Sequence, residues 1–280
     1  TNEGFEGEWL DRIDGSTSAA PGRAGLLHVP AVAHEQRLAG QCPRRKCAEE
    51  QGDLGHILHR RELAINGLAE HDVANDGVLA EAQGFRLLFD GSSGKGWRGY
   101  RQATLPAGWQ VVDAALTRVA AAGDIVSADE FANFELRLQW RIERGGNSGI
   151  MYRVSEDLEH SYESGPEMQV LDDANNREGA DPLTSAGANY GLFPATPGHA
   201  RPAGEWNDVR IVVDGANVEH WLNGAKVTEY QLWNHEWEDR VAATKFRKWP
   251  TFGLNQSGRI ALQDHDNRVG YRSIRIKALP

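Results

Sequence analysis

Between Phe134 and Ile142 every second residue is large and apolar: Phe134, Leu136, Leu138, Trp140 and Ile142, with Glu135, Arg137, Gln139 and Arg141 between them. That period of two puts the apolar set on one face of an extended strand and the charges on the other. A strand of this kind is not stable alone. It needs hydrogen-bonded neighbours and a second layer against which to hide its apolar face.

Neighbours are readable on both sides. Phe85–Phe89 ends at Asp90-Gly91, a strand followed by a turn. Trp109–Asp113 and Leu116–Val119 form a hairpin pattern around Ala114-Ala115, and Gly145-Gly146-Asn147 reverses the chain into Ser148–Arg153. Val209–Val213 runs to Asp214-Gly215, and Val218–Leu222 runs to Asn223-Gly224, a strong hairpin signal, from which Ala225–Tyr230 returns. Arg259–Gln263 and Tyr271–Ile276 complete the set, and His235–Phe246 is the one convincing helix. Short strands at this density, with turn residues between them, predict an all-β fold: a jelly-roll-like, two-sheet antiparallel β-sandwich with one short helix.

The pattern has a sharp start. Residues 1–84 contain two aromatics, Phe5 and Trp9, and residues 85–280 contain the other 21. A stretch so poor in large side chains buries too little apolar area to offset its conformational entropy. It is expected to be a poorly structured extension, with the domain at 85–280. Both cysteines, Cys42 and Cys47, lie in this extension near His56 and His59, without the spacing of a zinc site. The net charge of −10 argues against a nucleic-acid partner. No window is apolar enough for a membrane span, and no charged-then-apolar leader is visible.

Candidate chemistry concentrates in three places. In Gly165-Pro166-Glu167-Met168-Gln169-Val170-Leu171-Asp172, Glu167 and Gln169 are two apart and share a strand face, where a carboxylate beside an amide could move a proton and hold a hydroxyl. The plainer reading is a solvated sheet face over a core of Met168 and Val170. Asp172 would face the other way unless a bulge intervenes. Gly145-Gly146-Asn147-Ser148-Gly149 lacks the lysine of a phosphate loop, so it reads as a strand reversal from which Asn147 could reach a ligand. Gln263-Asp264-His265-Asp266 offers His265 as a base or metal ligand, with Asp264 fixing its tautomer, or simply a solvated turn. Trp206 and the His220-Trp221 pair are aromatics of the kind that stack on sugars or fill a core.

In order and spacing these runs resemble the 3-keto-disaccharide hydrolase family, similar in fold to concanavalin-like lectins and bacterial endo-glucanases. The resemblance rests on Phe89-Asp90-Gly91 with Gly96-Trp97, Gly123-Asp124-Ile125, Phe134-Glu135-Leu136 and Gly146-Asn147-Ser148-Gly149-Ile150. It continues through Gly165–Asp172, Pro182–Gly187, Pro202–Asn207, Trp221–Gly224 and Ile260–His265.

The resemblance implies a hydrolase or lyase acting on a carbohydrate already oxidised at C3 of a glucosyl unit. It also points to a periplasmic or extracellular setting. The ketone acidifies the C2 proton, so the group at C1 can leave by elimination and water can add back. It places Glu167 and His265 in proton transfer. Asn147, Arg153 and Gln169 would orient the substrate, Asp172, Trp206 and Asp264 would contact it, and a divalent cation could polarise the ketone. This chain departs from the family where a His commonly follows the Leu-Asp pair, reading Asp173-Ala174-Asn175-Asn176. It departs again after His265, where Asp266–Tyr271 replaces Gly-Asp and a bulky aromatic. The competing class is a non-catalytic, lectin-like carbohydrate-binding module.

Overall fold

The computed structural model describes residues 83–280. The readings made for residues 1–84, including those for Cys42, Cys47, His56 and His59, fall almost wholly outside this range. Among the described residues the chain forms β1 (Arg86–Leu87), β2 (Trp97–Gly99), β3 (Trp109–Val112), β4 (Ala115–Arg118), β5 (Ile125–Ser127), β6 (Phe134–Ile142) and β7 (Asn147–Val154). It continues with β8 (Glu167–Leu171), β9 (Asn207–Asp214), β10 (Asn217–Leu222), β11 (Ala225–Gln231), a helix α1 (His235–Ala243), β12 (Arg259–Leu262) and β13 (Val269–Ala278).

All strand pairs are antiparallel and fall into two sheets. The larger runs β11-β10-β9-β6-β13-β4-β3, with β1 on β13, and the smaller runs β2-β5-β12-β7-β8. The alternation in β6 is realised as read. Phe134, Leu136, Leu138, Trp140 and Ile142 are buried between the sheets, against Ile150, Tyr152, Met168, Val170, Ile260 and Leu262 of the smaller sheet. At roughly 25 cal/mol per Å² of apolar surface, this shared core is the main stabilising contribution to the sandwich.

The turns follow their chemistry. Asp113 and Ala114, at φ of 51° and 55°, close the β3–β4 hairpin, and Asn223-Gly224, at 50° and 87°, closes β10–β11, the positive-φ pairs that suit a right-twisted hairpin. Asn234 caps α1 by accepting the Trp237 N–H at 2.8 Å. The helix stops at Ala243 rather than reaching Phe246: Thr244 is extended and a separate 3-10 turn, Lys245–Lys248, begins.

A buried polar network ties the two sheets together. Tyr152 of β7 hydrogen-bonds His220 Nε2 of β10 at 2.9 Å and also meets the Tyr230 hydroxyl of β11. His220 Nδ1–H donates to the Gly187 carbonyl at 2.9 Å. Burial holds His220 neutral, its pKa lowered to about 4. His220 is therefore a core residue, not a sugar platform.

In the smaller sheet every residue of β7 and β8 is buried, on both faces. One face meets the core. The other carries Asn147, Gly149, Glu167 and Gln169, and connecting segments from elsewhere in the chain stand over it.

Candidate active site

Glu167 and Gln169 point to the same side of β8, as their spacing requires. On the adjacent strand Gly149 pairs with Gln169 and Met151 with Glu167. The Glu167 carboxyl lies across Gly149. A methyl group there would sit 1.8 Å from Glu167 Oε1, so the absent side chain is what gives the carboxyl its place.

These residues floor a cleft of about 330 Å³. Asn147, Gln263 and His265 line one part, and Tyr162, Tyr190, Lys245, Phe246 and Trp249 the rest. Lys245 Nζ stands 4.6 Å from the Tyr190 ring centroid and 5.9 Å from that of Tyr162, within cation–π range. Tyr162 meets Trp249 edge to face at 5.8 Å.

Burial pushes the Glu167 carboxyl up to about 8, and Asp124 and Glu178 add to the shift while the Lys245 cation pulls against it. Burial likewise raises the Tyr190 phenol to about 12. Asn147 Oδ1 and Gln169 Nε2 are buried with no hydrogen-bond partner among the described residues. Orphaned polar atoms are costly in a closed core, and in a cleft they are groups ready for a polar ligand.

His265 lies exposed on the loop after β12, and Asp264 positions it by a different route from the expected one. The Asp264 carboxylate does not orient the imidazole. It accepts from Arg118 Nε at 2.7 Å and from the Ala122 and Gly123 amides at 2.7 and 3.0 Å. Arg118 and Asp264 side chains are only 10% and 4% exposed, so the loop carrying His265 is clamped to the sheet edge. Asn267 Oδ1 adds a bond from the Asn147 N–H at 3.1 Å.

The structure thus brings Glu167, Gln169, Asn147 and His265 to one cleft, and places three other expected residues elsewhere. Arg153 sits at a left-handed position, φ 53°, which breaks the alternation of β7. Its guanidinium donates to the carbonyls of Ala132 and Gly215, both at 3.0 Å, and packs over Trp233. Asp172 follows the end of β8 without a bulge and holds a turn, accepting from Gly145 N–H at 2.7 Å and Asn175 Nδ2 at 2.8 Å. The Trp206 ring packs against the guanidiniums of Arg141 and Arg272 of the larger sheet, 4.7 and 4.0 Å from its centroid. The cleft aromatics and Lys245 were not expected, because they come from loops with no periodic signal.

The cleft does not fit a resident divalent cation. Its lining offers one carboxylate and one imidazole among amides, and among the described residues no group of three or more His, Cys, Asp or Glu is gathered to hold an ion. Among the described residues no helix is long and apolar enough to cross a membrane.

A family model described as the 3-keto-alpha-glucoside-1,2-lyase-like domain matches residues 84–277. A 3-keto-disaccharide hydrolase of Bacteroides thetaiotaomicron is 36% identical over 231 residues, covering 71% of this chain and 80% of that protein. A crystal structure from Parabacteroides distasonis, of a protein assigned as a glycosyl hydrolase, superposes with a TM-score of 0.67 at 32% identity, over 72% of this chain and 97% of that one. A second such structure from the same organism gives 0.54 at 27% identity, over 70% and 99%.

Proposed function

The chain belongs to the 3-keto-alpha-glucoside-1,2-lyase-like family, and on that premise we propose that it cleaves the glycosidic bond of a 3-keto-glucoside by elimination across C1 and C2, followed by hydration. The observation that carries the proposal is a buried carboxyl, Glu167, sharing one cleft with His265. A carboxylate taken out of water is a stronger base than one at the surface, which is what removal of a carbon-bound proton demands.

Ionised Glu167 takes the C2 proton, and the electron pair moves into the C2–C3 bond and onto the ketone oxygen as an enolate. The Lys245 cation and the amide N–H of Gln169 are the groups of the cleft suited to that developing charge. The enolate then re-forms the ketone as the C1–oxygen bond breaks, leaving a C1–C2 double bond. His265, as the imidazolium, protonates the departing oxygen. Water adds to C1 while C2 regains a proton, and the sum is hydrolysis.

An unoxidised glucoside has no carbonyl to acidify C2, so it is not a substrate. The test offers 3-keto-trehalose and trehalose to the full chain and to a Glu167→Gln variant. The wild type releases 3-ketoglucose from the first alone, and the variant is slower by roughly 10²–10⁴. Equal cleavage of both sugars contradicts the proposal, and tight binding without turnover of either supports a lectin instead.

A further inference from the structure

On the outward face of the larger sheet three arginines stand in one row across adjacent strands. Arg210 of β9 pairs with Arg137 of β6, and Arg137 pairs in turn with Arg275 of β13. A β-bulge sets this register. Between Arg272 and Arg275 the strand carries an extra residue, with Ser273 at a left-handed φ of 52°, so that Arg275 rather than Ile274 comes opposite Arg137. Like charges placed directly opposite one another on a sheet are destabilising.

The row is only partly neutralised. Glu135 Oε1 accepts from Arg137 Nε at 2.6 Å and from Arg210 Nε at 2.9 Å, and Glu219 stands 3.8 Å from Arg210 Nη1. Arg275 lies over the Phe85 ring, 6.0 Å from its centroid, and its Nε is buried without a hydrogen-bond partner among the described residues. No carboxylate forms an ion pair with it among the described residues. A hollow of about 320 Å³ runs along the row, with Arg137, Arg210 and Arg275 in its lining beside Gln139, Asp208 and Trp221. It shares no lining residue with the Glu167 cleft, which lies on the outer face of the smaller sheet.

We infer that this hollow is a second binding site, separate from the catalytic cleft, and that it takes an acidic sugar: a hydroxylated monocarboxylate the size of one ring. The inference does not depend on the elimination reading. The chain as a whole carries a net charge of −10, so a row of cations held together against its own repulsion and short of a counter-charge is a local exception. Glu135 shows the chemistry, one carboxylate shared by two guanidiniums of the row, and a ligand carboxylate would serve Arg137 and Arg275 in the same way. Asp208 and Glu135 nearby count against a dianion such as a phosphate ester, whose second charge would meet theirs. Asp208 also favours hydroxyls, from which it can accept, whereas an apolar acid would strip its water and replace nothing. Trp221, against which Arg210 packs at 5.0 Å, adds apolar surface for the C–H groups of a ring.

The test is calorimetric titration of the full chain with glucuronate, glucose, acetate and inorganic phosphate. Wild type binds glucuronate more tightly than glucose, which lacks the carboxylate, than acetate, which lacks the ring, and than phosphate. Arg275→Gln weakens glucuronate roughly tenfold, and Arg275→Lys, which keeps the charge but loses the fork, weakens it roughly threefold. Glu167→Gln leaves the affinity unchanged, because the cleft is elsewhere. Absence of glucuronate binding, or binding no tighter than that of glucose, acetate or phosphate, overturns the site as drawn. An affinity unchanged in both Arg275 variants, or lost in Glu167→Gln, overturns its location.

Discussion

The proposed chemistry turns on one carboxyl and the space left for it. Glu167 occupies the room above Gly149, where a Cβ would come within 1.8 Å of Oε1. Gly149→Ala therefore displaces the end of a flexible side chain rather than backbone, so the fold survives while the base moves. Turnover of a 3-keto-disaccharide should fall about a hundredfold, with thermal stability changed far less. Full activity in this variant would mean that the placement of Glu167 is not critical. Ionisation of Glu167 gives a second prediction. Burial raises its pKa to about 8, so the base is protonated below that pH and ionised above it. The infrared band of the Glu167 carboxylic acid, taken as the difference between wild type and Glu167→Gln, then titrates with a midpoint near 8. Lys245 pulls the pKa down, so Lys245→Met moves the midpoint to higher pH, and a shift to lower pH would contradict this assignment.

Secondary elements show where sequence is informative and where it is not. β6 is legible because its alternation runs its full length, and Glu167 with Gln169 is legible because two residues on one strand must share a face. β2 and β5 were not, since three residues cannot display a period. Lys245, Tyr162 and Tyr190 reach the cleft from turns and loops, where placement depends on tertiary packing that no local pattern encodes. Arg153 misleads for the same reason, because a left-handed residue turns the end of its strand away from the expected face. The His220 link between β10 and β7 was likewise unreadable, and it carries a stability prediction. His220 has a pKa of about 4 in the fold against about 6.5 in the unfolded chain, so the unfolded state binds the extra proton between those values. Its contribution is complete above pH 6.5 and is lost as pH falls toward 4, on the order of 3 kcal/mol. Denaturant unfolding of His220→Gln should show a flatter loss of stability over that window than wild type. Parallel curves would show that His220 is not the acid-sensitive element.

At the scale of the whole molecule, the two sheets divide the work. The larger supplies the apolar face that fills the core, and the smaller turns its second face to the cleft. A strand pair thus carries Glu167, Gln169 and Asn147, while a clamped loop brings His265 and a 3-10 turn brings Lys245 over them. The proposed reaction begins with abstraction at C2, and an isotope at that carbon examines it most directly. A 3-keto-disaccharide carrying deuterium at C2 is turned over in ordinary water, and the 3-ketoglucose released is analysed early, with exchange of the free product subtracted. The account predicts that released product has exchanged its C2 deuterium for protium, and that Glu167→Gln abolishes both exchange and release. Product that keeps its deuterium, released with no slowing relative to the unlabelled substrate, would mean direct displacement at C1 and would contradict the elimination.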